Sequence, residues 1–484
     1  MEPQHFESLY PPETRSEEIK RMLEFAKSGR SSQVVGVPGS GKGTLLGLLS
    51  YNKGVREIHL GENQKWFHFV YMDFSEVKKR NLFDVIKFMI ISTAYSLTER
   101  DLKQEADTVN KFLKEAIGFS DELILFQALK KSIDFLAIEK ELSVVFLLDR
   151  FDQYLPDVTE NFFLNLKILR NRAKYRFSCV FSLKRPIEDM LEPIVFSEFH
   201  EFLAGNVVYF RLYDPVGMDF RFSYLDRITG KNTDEKTRQE IVRLTGGHGQ
   251  LARLSYEIVL SSEEVPKGLQ VYLFEKGVIK RALGDIWNYL TPSEQVYLKQ
   301  ISSSPVIARN SPLSLRGTNK TIGEAISLRD RHSRDKLGIA MTNNETEQKR
   351  NDNNVYLENV GLIIEGEIAI PLLEEYVKNV SVETAGQITY KAETNEIFKG
   401  NEEITDNLSP SEFRLLRFLI QNAGRVCEKE EVITNVWKDT KTQEGVTDQA
   451  LDQIIYRLRK KIEEDPNTPV HLQTIKGRGV RFAA

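Results

Sequence analysis

Two cysteines, Cys179 and Cys427, are all that this 484-residue chain contains. A disulfide framework is therefore excluded, and a closed thiolate zinc site needs more ligands than these two supply. Both lie in apolar strand or helix-entry contexts, which fits a reducing compartment. Long apolar runs are scarce too. None approaches the ~18 residues that a membrane-spanning helix requires, and the N-terminus lacks a signal-peptide pattern. The expected location is the cytoplasm, with no membrane partner. Excess charge of one sign is also missing: 66 Lys and Arg against 70 Asp and Glu leave a net charge of −4. No global field gathers nucleic acid, so any such binding must come from local patches. No internal repeat is visible, which argues against a solenoid.

What is present is an ordinary globular composition, 41% hydrophobic and 28% charged, with room for about three domains. The segment from Leu408 to Phe482 is the most informative. Leu408-Ser409-Pro410-Ser411-Glu412 supplies an N-cap Ser, a Pro at the first helical position and a Glu three residues after the cap. Phe413, Leu416, Leu419 and Ile420 follow at helical spacing, with Gly424 as a stop. A second helix is expected over about Lys429 to Trp437. A third, about Thr447 to Ile462, buries Leu451, Ile455 and Leu458 and carries Arg457, Arg459, Lys460 and Lys461 near its end. The close of the chain reads as a hairpin around Lys476-Gly477-Arg478-Gly479. Three short helices and a basic hairpin suit a duplex: the third helix enters the major groove, while Lys476 and Arg478 lie near phosphates or the minor groove. Basic helix ends also complement the helix dipole, and for Lys460 and Lys461 alone the two explanations weigh equally.

This segment resembles the effector domain of the OmpR/PhoB response regulators. The likeness runs through Leu408 to Leu416, Gly424-Arg425-Val426, Val436-Trp437, Val446-Thr447-Asp448, Arg457 to Lys461 and Gln473 to Gly477, with a strand-rich lead-in near Gln387 to Lys399. The resemblance implies that Gln449, Gln453, Tyr456, Arg457, Arg459, Thr474, Lys476 and Arg478 face DNA. It departs at Tyr456, where the family usually has a basic residue, and at Val480, where a wing aromatic is common. Double-stranded DNA is the implied partner, with RNA polymerase as a further candidate.

The other end of the chain carries a nucleotide motif. Gln33-Val34-Val35 is a short apolar strand leading into Gly36-Val37-Pro38-Gly39-Ser40-Gly41-Lys42-Gly43-Thr44 and then the helical Leu45 to Leu49. Glycines let backbone N–H groups wrap a phosphate at a helix N-terminus, and Lys42 reaches the β- and γ-phosphates. The expected nucleotide-binding set is thus Gly36, Pro38, Gly39, Ser40, Gly41, Lys42, Gly43 and Thr44. The residue after Lys42 is Gly43, so the usual Mg²⁺-binding hydroxyl is missing and Thr44 stands one place late. Val144 to Leu148 then form a buried strand ending in Asp149. That segment resembles a Walker B motif, in which Asp149 holds Mg²⁺. Where such motifs place a water-activating acid, this chain has Arg150. Asp152 either substitutes as the catalytic acid or caps the next turn of chain. Phe177 to Leu183 end in Lys184-Arg185-Pro186, and ligands of open α/β sheets bind at strand carboxyl ends. Lys184 or Arg185 therefore either senses the γ-phosphate or is simply solvated.

Over about residues 10–260 the order of motifs resembles a STAND-type P-loop ATPase domain, including an arginine-containing lead-in at Tyr10 to Ile19. In that family a Gly-Gly-His-Pro turn lies against adenine. Here the turn is Gly246-Gly247-His248-Gly249, so His248 is either a nucleotide-binding residue or a helix cap. The resemblance implies ATP/ADP and Mg²⁺ as cofactors and a nucleotide-dependent homo-oligomer.

The middle of the chain is less distinct. Tyr289-Leu290-Thr291-Pro292-Ser293-Glu294 echoes the capped helix start at Leu408, and Tyr356 to Pro371 reads as a helix end running into a two-stranded wing. The expected architecture is multidomain α/β plus winged helices: a P-loop parallel-sheet domain followed by two winged-helix domains. Residues 1–270 form the nucleotide-binding domain with a helical lid. Residues 271–383 form a middle winged helix with a polar, mobile insertion at about 302–354, and 384–484 form the DNA-binding domain. The expected function is an ATP-binding transcriptional regulator whose nucleotide switch controls a DNA reader and hydrolyses slowly. Alternatives are an origin-recognition-like ATPase or a phage-defence or stress sensor on the same scaffold, and a nucleotide kinase, which Gly-Lys-Gly-Thr suggests.

Overall fold

The computed structural model describes residues 5–262, 266–303, 355–380, 388–392, 394–399, 402–436, 448–463, 466, 469–475 and 478–483. The chain divides into two compact units, Met1–Asn379 and Val380–Ala484. That division does not separate the parts expected on either side of residue 270, and the helix Gly249–Ser261 packs on Gly277–Trp287 across that position. Of the insertion expected at 302–354, all but Ser302 and Ser303 lies outside the described residues. Among the described residues no helix is long and apolar enough to cross a membrane.

The first unit is built on five parallel strands: β1 (Ser32–Val35), β2 (Phe67–Asp73), β3 (Ser143–Asp149), β4 (Phe177–Leu183) and β5 (Val207–Tyr209). Their spatial order is β2-β3-β4-β1-β5. Every residue of β1 and β4 is buried, and β3 is buried from Val144 onward. Strand β3 reads as a near-continuous apolar run, as suits a parallel sheet covered on both faces, while β1 and β4 also bury Ser32, Gln33, Ser178 and Ser182. All five strands point the same way, so the loop after β1, Asp149 at the end of β3 and Lys184 just after β4 gather at one carboxyl edge. Between β2 and β3 the chain makes a three-helix excursion, Leu82–Glu99, Lys103–Ala116 and Glu122–Asp134.

After β5 come the helices Pro215–Thr229, Glu235–Thr245 and Gly249–Ser261, which pack on one another. Further on, Pro292–Ser303 starts with the expected reciprocal cap: Glu294 N donates to Thr291 Oγ1 (3.3 Å) and Thr291 N to Glu294 Oε2 (2.9 Å). The hairpin Ile363–Ile364/Glu367–Ile368 and the helix Pro371–Asn379 complete the unit.

In the second unit, a three-stranded antiparallel sheet (Ile388–Lys391, Glu396–Lys399, Glu402–Glu403) leads into the helix Pro410–Gln421. Ser409 and Glu412 form a capping box there. The core contains Leu415, Leu416 and Leu419, while Phe413 and Ile420 are only partly buried. Leu451, Ile455 and Leu458 of the helix Asp448–Ile462 are buried at the expected spacing. The closing hairpin Leu472–Ile475/Gly479–Phe482 pairs with Val426–Cys427. Val480, noted as a departure from the wing aromatic, is fully buried in this core.

Candidate nucleotide cleft and nucleic-acid interface

A cleft of about 860 Å³ opens at the carboxyl edge of the parallel sheet. Pro38, Gly39, Ser40, Gly41, Lys42, Gly43 and Thr44 all line it. Gly39 and Gly41 adopt positive φ (73° and 116°), which bends the loop so that the helix Lys42–Tyr51 starts at its floor. Gly36 lies at the root of the loop, where its N–H donates to Leu183 O (3.2 Å). Lys42 Nζ donates to the carbonyls of Gly36 (2.6 Å) and Val37 (3.1 Å). Burial lowers the Lys42 pKa to about 8, while Asp152 and Asp149 pull it the other way.

Opposite the loop, Asp149 is 2% exposed. Its Oδ1 accepts from Arg150 N (2.9 Å) and its Oδ2 from Tyr71 Oη (2.7 Å). Burial and the adjacent Asp149 carboxylate push the Tyr71 phenol up, so it stays a donor. Arg150 sits in the left-handed region (φ 51°) and pairs with Asp73 (3.2 Å). Asp152 and Lys184 both line the cleft and pair with each other at 3.1 Å.

Two residues expected to meet the nucleotide are placed elsewhere. Arg185 turns away from the cleft and forms a bidentate pair with Glu294, itself 1% exposed (Nη1–Oε1 3.0 Å). Its guanidinium lies over the rings of Tyr356 (4.2 Å) and Tyr289 (5.2 Å). Adjacent side chains at a strand end diverge, so only one of Lys184 and Arg185 reaches the cleft. His248 is fully buried with both ring nitrogens engaged. Nδ1 accepts from Leu251 N (3.3 Å), capping the helix Gly249–Ser261, and Nε2 donates to Pro38 O (2.7 Å). Burial lowers its pKa to about 4, in keeping with that neutral tautomer. It supports the 38–44 loop from behind, and its neighbours Gly249, Gln250 and Arg253 line the cleft instead.

The far end of the cleft is closed by the N-terminal segment. Arg15 donates to the carbonyls of Arg211 (2.6 Å) and Leu212 (3.1 Å) and lies 4.1 Å over the Phe210 ring. Thr14 lines the cleft, is 2% exposed, and its hydroxyl has no hydrogen-bond partner within the protein. Sequence reasoning missed Tyr71, Phe210 and Gln250. No local pattern marks them, although Tyr71 stands two residues before the Asp73 that closes β2.

In the second unit, Gln453, Tyr456 and Arg457 are exposed at i, i+3, i+4 spacing on one face of Asp448–Ile462. Arg459 instead ties this helix to the hairpin, donating to Leu472 O (2.9 Å) and Thr474 Oγ1 (2.7 Å). That contact also engages the Thr474 hydroxyl. Lys461 pairs with Glu412 at 2.7 Å. Arg478 is exposed at the hairpin tip. Lys476 and the side chain of Gln449 lie outside the described residues.

Residues 403–482 match the family model described as transcriptional regulatory protein, C terminal. The C-terminal domain is of the OmpR/PhoB type. Its relatives include the sensory transduction protein RegX3 of Mycolicibacterium smegmatis, 40% identical over 103 residues, which are 20% of this chain and 41% of that protein. The KDP operon transcriptional regulatory protein KdpE of Escherichia coli is 37% identical over 86 residues, 18% of this chain and 36% of that protein. The chain thus spans about two fifths of the length of these relatives. Among solved structures, the Klebsiella pneumoniae RstA DNA-binding domain in complex with RstA box is 26% identical, covering 20% of this chain and 92% of that one (TM-score 0.17). The Walker-type ATPase paby2304 of Pyrococcus abyssi is 13% identical over 77% of this chain and 100% of that one (TM-score 0.44). The OmpR/PhoB-type domain thus follows, in the chain, an α/β unit with a parallel sheet, a glycine-rich loop after β1 and an acid closing β3.

Proposed function

We propose that this chain is an ATP-binding transcription regulator, in which the OmpR/PhoB-type domain binds duplex DNA and the nucleotide state of the first unit sets its activity. The observation that carries the nucleotide half is the convergence of the 38–44 loop, Asp149 and Lys184 on one cleft. Backbone N–H groups at a helix start, together with Lys42, suit a polyphosphate. The apolar and hydrogen-bonding far end around Thr14, Arg15 and Phe210 suits a base.

The donor set fits Mg²⁺. Asp149 is buried and ionisable, both its oxygens keep lone pairs free beyond their single hydrogen bonds, and Thr44 lines the same cleft. Asp149 and Thr44 would hold the ion, which when bound neutralises charge on the terminal phosphates. Lys42 orients those phosphates and Lys184 faces the same space. Arg150 stands where an activating acid is usual, and Asp152 is paired, so turnover is slow and ATP acts as a switch. On the DNA side, Gln453, Tyr456 and Arg457 meet base edges while Arg478 meets the backbone.

The test is ATP binding and duplex binding by the full chain, with Lys42→Ala as control. We expect Lys42→Ala to abolish ATP binding and to leave the protein locked in its nucleotide-free DNA affinity. Equal ATP affinity in both proteins by calorimetry would remove the nucleotide half of this reading.

A further inference from the structure

The loop ends Lys42-Gly43-Thr44, without the hydroxyl expected directly after the lysine. The structure shows what stands in its place. Asp149 leans so close to the helix start that a Cβ at Gly43 would lie 2.7 Å from its Oδ2. That same oxygen accepts the hydrogen bond from Tyr71 Oη at 2.7 Å. Tyr71 comes from β2, which pairs in register with β3 so that Asp73 stands beside Asp149. Its ring is backed by Tyr51, at the far end of the loop's own helix, with centroids 5.9 Å apart. Both rings line the cleft. A side chain at position 43 and the Tyr71 phenol therefore compete for one carboxylate oxygen, and this chain has the phenol.

We propose that Tyr71 is a positioning residue that replaces the missing loop hydroxyl: its O–H fixes the Asp149 carboxylate so that the free lone pairs meet the metal accompanying a bound nucleotide. The proposal rests on the reading of the cleft as a Mg²⁺–nucleotide site. A donor mounted on a sheet strand is held before the ion arrives, so the carboxylate loses little rotamer freedom on binding. Outer-shell donors of this kind are worth roughly 10–100-fold in metal affinity. Gly43 is then a requirement of the arrangement, since any side chain there displaces the carboxylate from the phenol. Removing the phenol and restoring a hydroxyl at 43 should rebuild the site in the commoner form.

The experiment measures ATP affinity of the full chain by calorimetry, with Mg²⁺ and with EDTA, and the bound-Mn²⁺ EPR spectrum with ATP present. In the wild type we expect Mg²⁺ to tighten ATP binding. Tyr71→Phe should cut that metal-dependent gain by about tenfold and alter the Mn²⁺ spectrum, while affinity in EDTA stays within about twofold. Gly43→Ser alone should lose the gain as well. Tyr71→Phe/Gly43→Ser should recover most of it. If the wild type binds no ATP under either condition, the nucleotide reading fails and the proposal with it. If the wild type binds and Tyr71→Phe keeps the full metal gain, or weakens ATP equally with and without metal, Tyr71 is a packing residue and only this proposal falls. A double variant no better than Tyr71→Phe overturns the equivalence of the two hydroxyls.

Discussion

At Lys42, burial and charge act in opposite directions and leave the amine with a pKa of about 8 against an ordinary value of 10.5. As pH rises, the unbound protein therefore releases this proton before an unfolded chain would. Burying the charge costs stability at neutral pH, and that cost fades as pH climbs through 8 toward 10.5. A bound polyphosphate reverses the balance by favouring the charged amine, so above pH 8 binding must take up a proton. ATP affinity should be nearly flat below about pH 7.5 and then fall, approaching tenfold per pH unit above about 8.5. Calorimetry in two buffers of different ionisation heat reads both the affinity and the proton uptake. An affinity unchanged up to about pH 9.5, with no proton taken up, would show that the amine is fully charged in the empty loop. The same reasoning explains the neutral His248: with both nitrogens committed to Pro38 and Leu251, a second ring proton has no acceptor.

Among the elements, strand β4 ends on a divided pair: Lys184 faces Asp152 in the cleft, while Arg185 is held by Glu294 at the start of the Pro292–Ser303 helix. Tyr356 Oη also donates to Lys184 O (2.8 Å), so the segment between cleft and helix is gripped on both sides. Glu294 lies outside the cleft, yet a change there should reach the nucleotide. Glu294→Gln can keep the cap on Thr291 but removes the buried counter-charge. Breaking such a pair leaves an uncompensated guanidinium and costs about 3–5 kcal/mol. We expect a lower Tm and an ATP affinity changed by about threefold or more, ~0.7 kcal/mol. A lowered Tm with unchanged ATP affinity would make the pair a staple without influence on the site. This pairing also marks the limit of what the sequence discloses. The β1 strand, the loop, the end of β3 and both capping boxes depend on neighbours within a few residues, and they read directly from spacing. The Arg185–Glu294 pair spans 109 positions and the Tyr71–Asp149 bond spans 78, so only the fold brings them together. Arg459 is a milder case. Its place in the motif points to DNA, and the register of the hairpin turns it onto Leu472 and Thr474.

For the whole molecule, the question is whether two units with separate cores communicate. Nucleotide can bias DNA binding only through a difference in affinity for two states of the protein. If the exposed helix face bearing Gln453, Tyr456 and Arg457 reads DNA as proposed, it covers one half-site, and useful discrimination among genomic sites needs two or more copies side by side. The first unit supplies a means of controlling copy number if ATP favours a form that self-associates. ATP should then raise the sedimenting mass and tighten binding to tandem half-sites, with little effect on an isolated half-site. The coupling must be mutual: tandem-site DNA should raise ATP affinity by the factor by which ATP raises DNA affinity, typically about 5–150-fold. Lys42→Ala should erase both directions together. Analytical ultracentrifugation with ATP, ADP and no nucleotide, with and without tandem-site duplex, measures each arm of this cycle. If mass and DNA affinity ignore the nucleotide while ATP still binds, the first unit is a platform for the DNA reader, and the switch model is wrong even though the cleft is a nucleotide site.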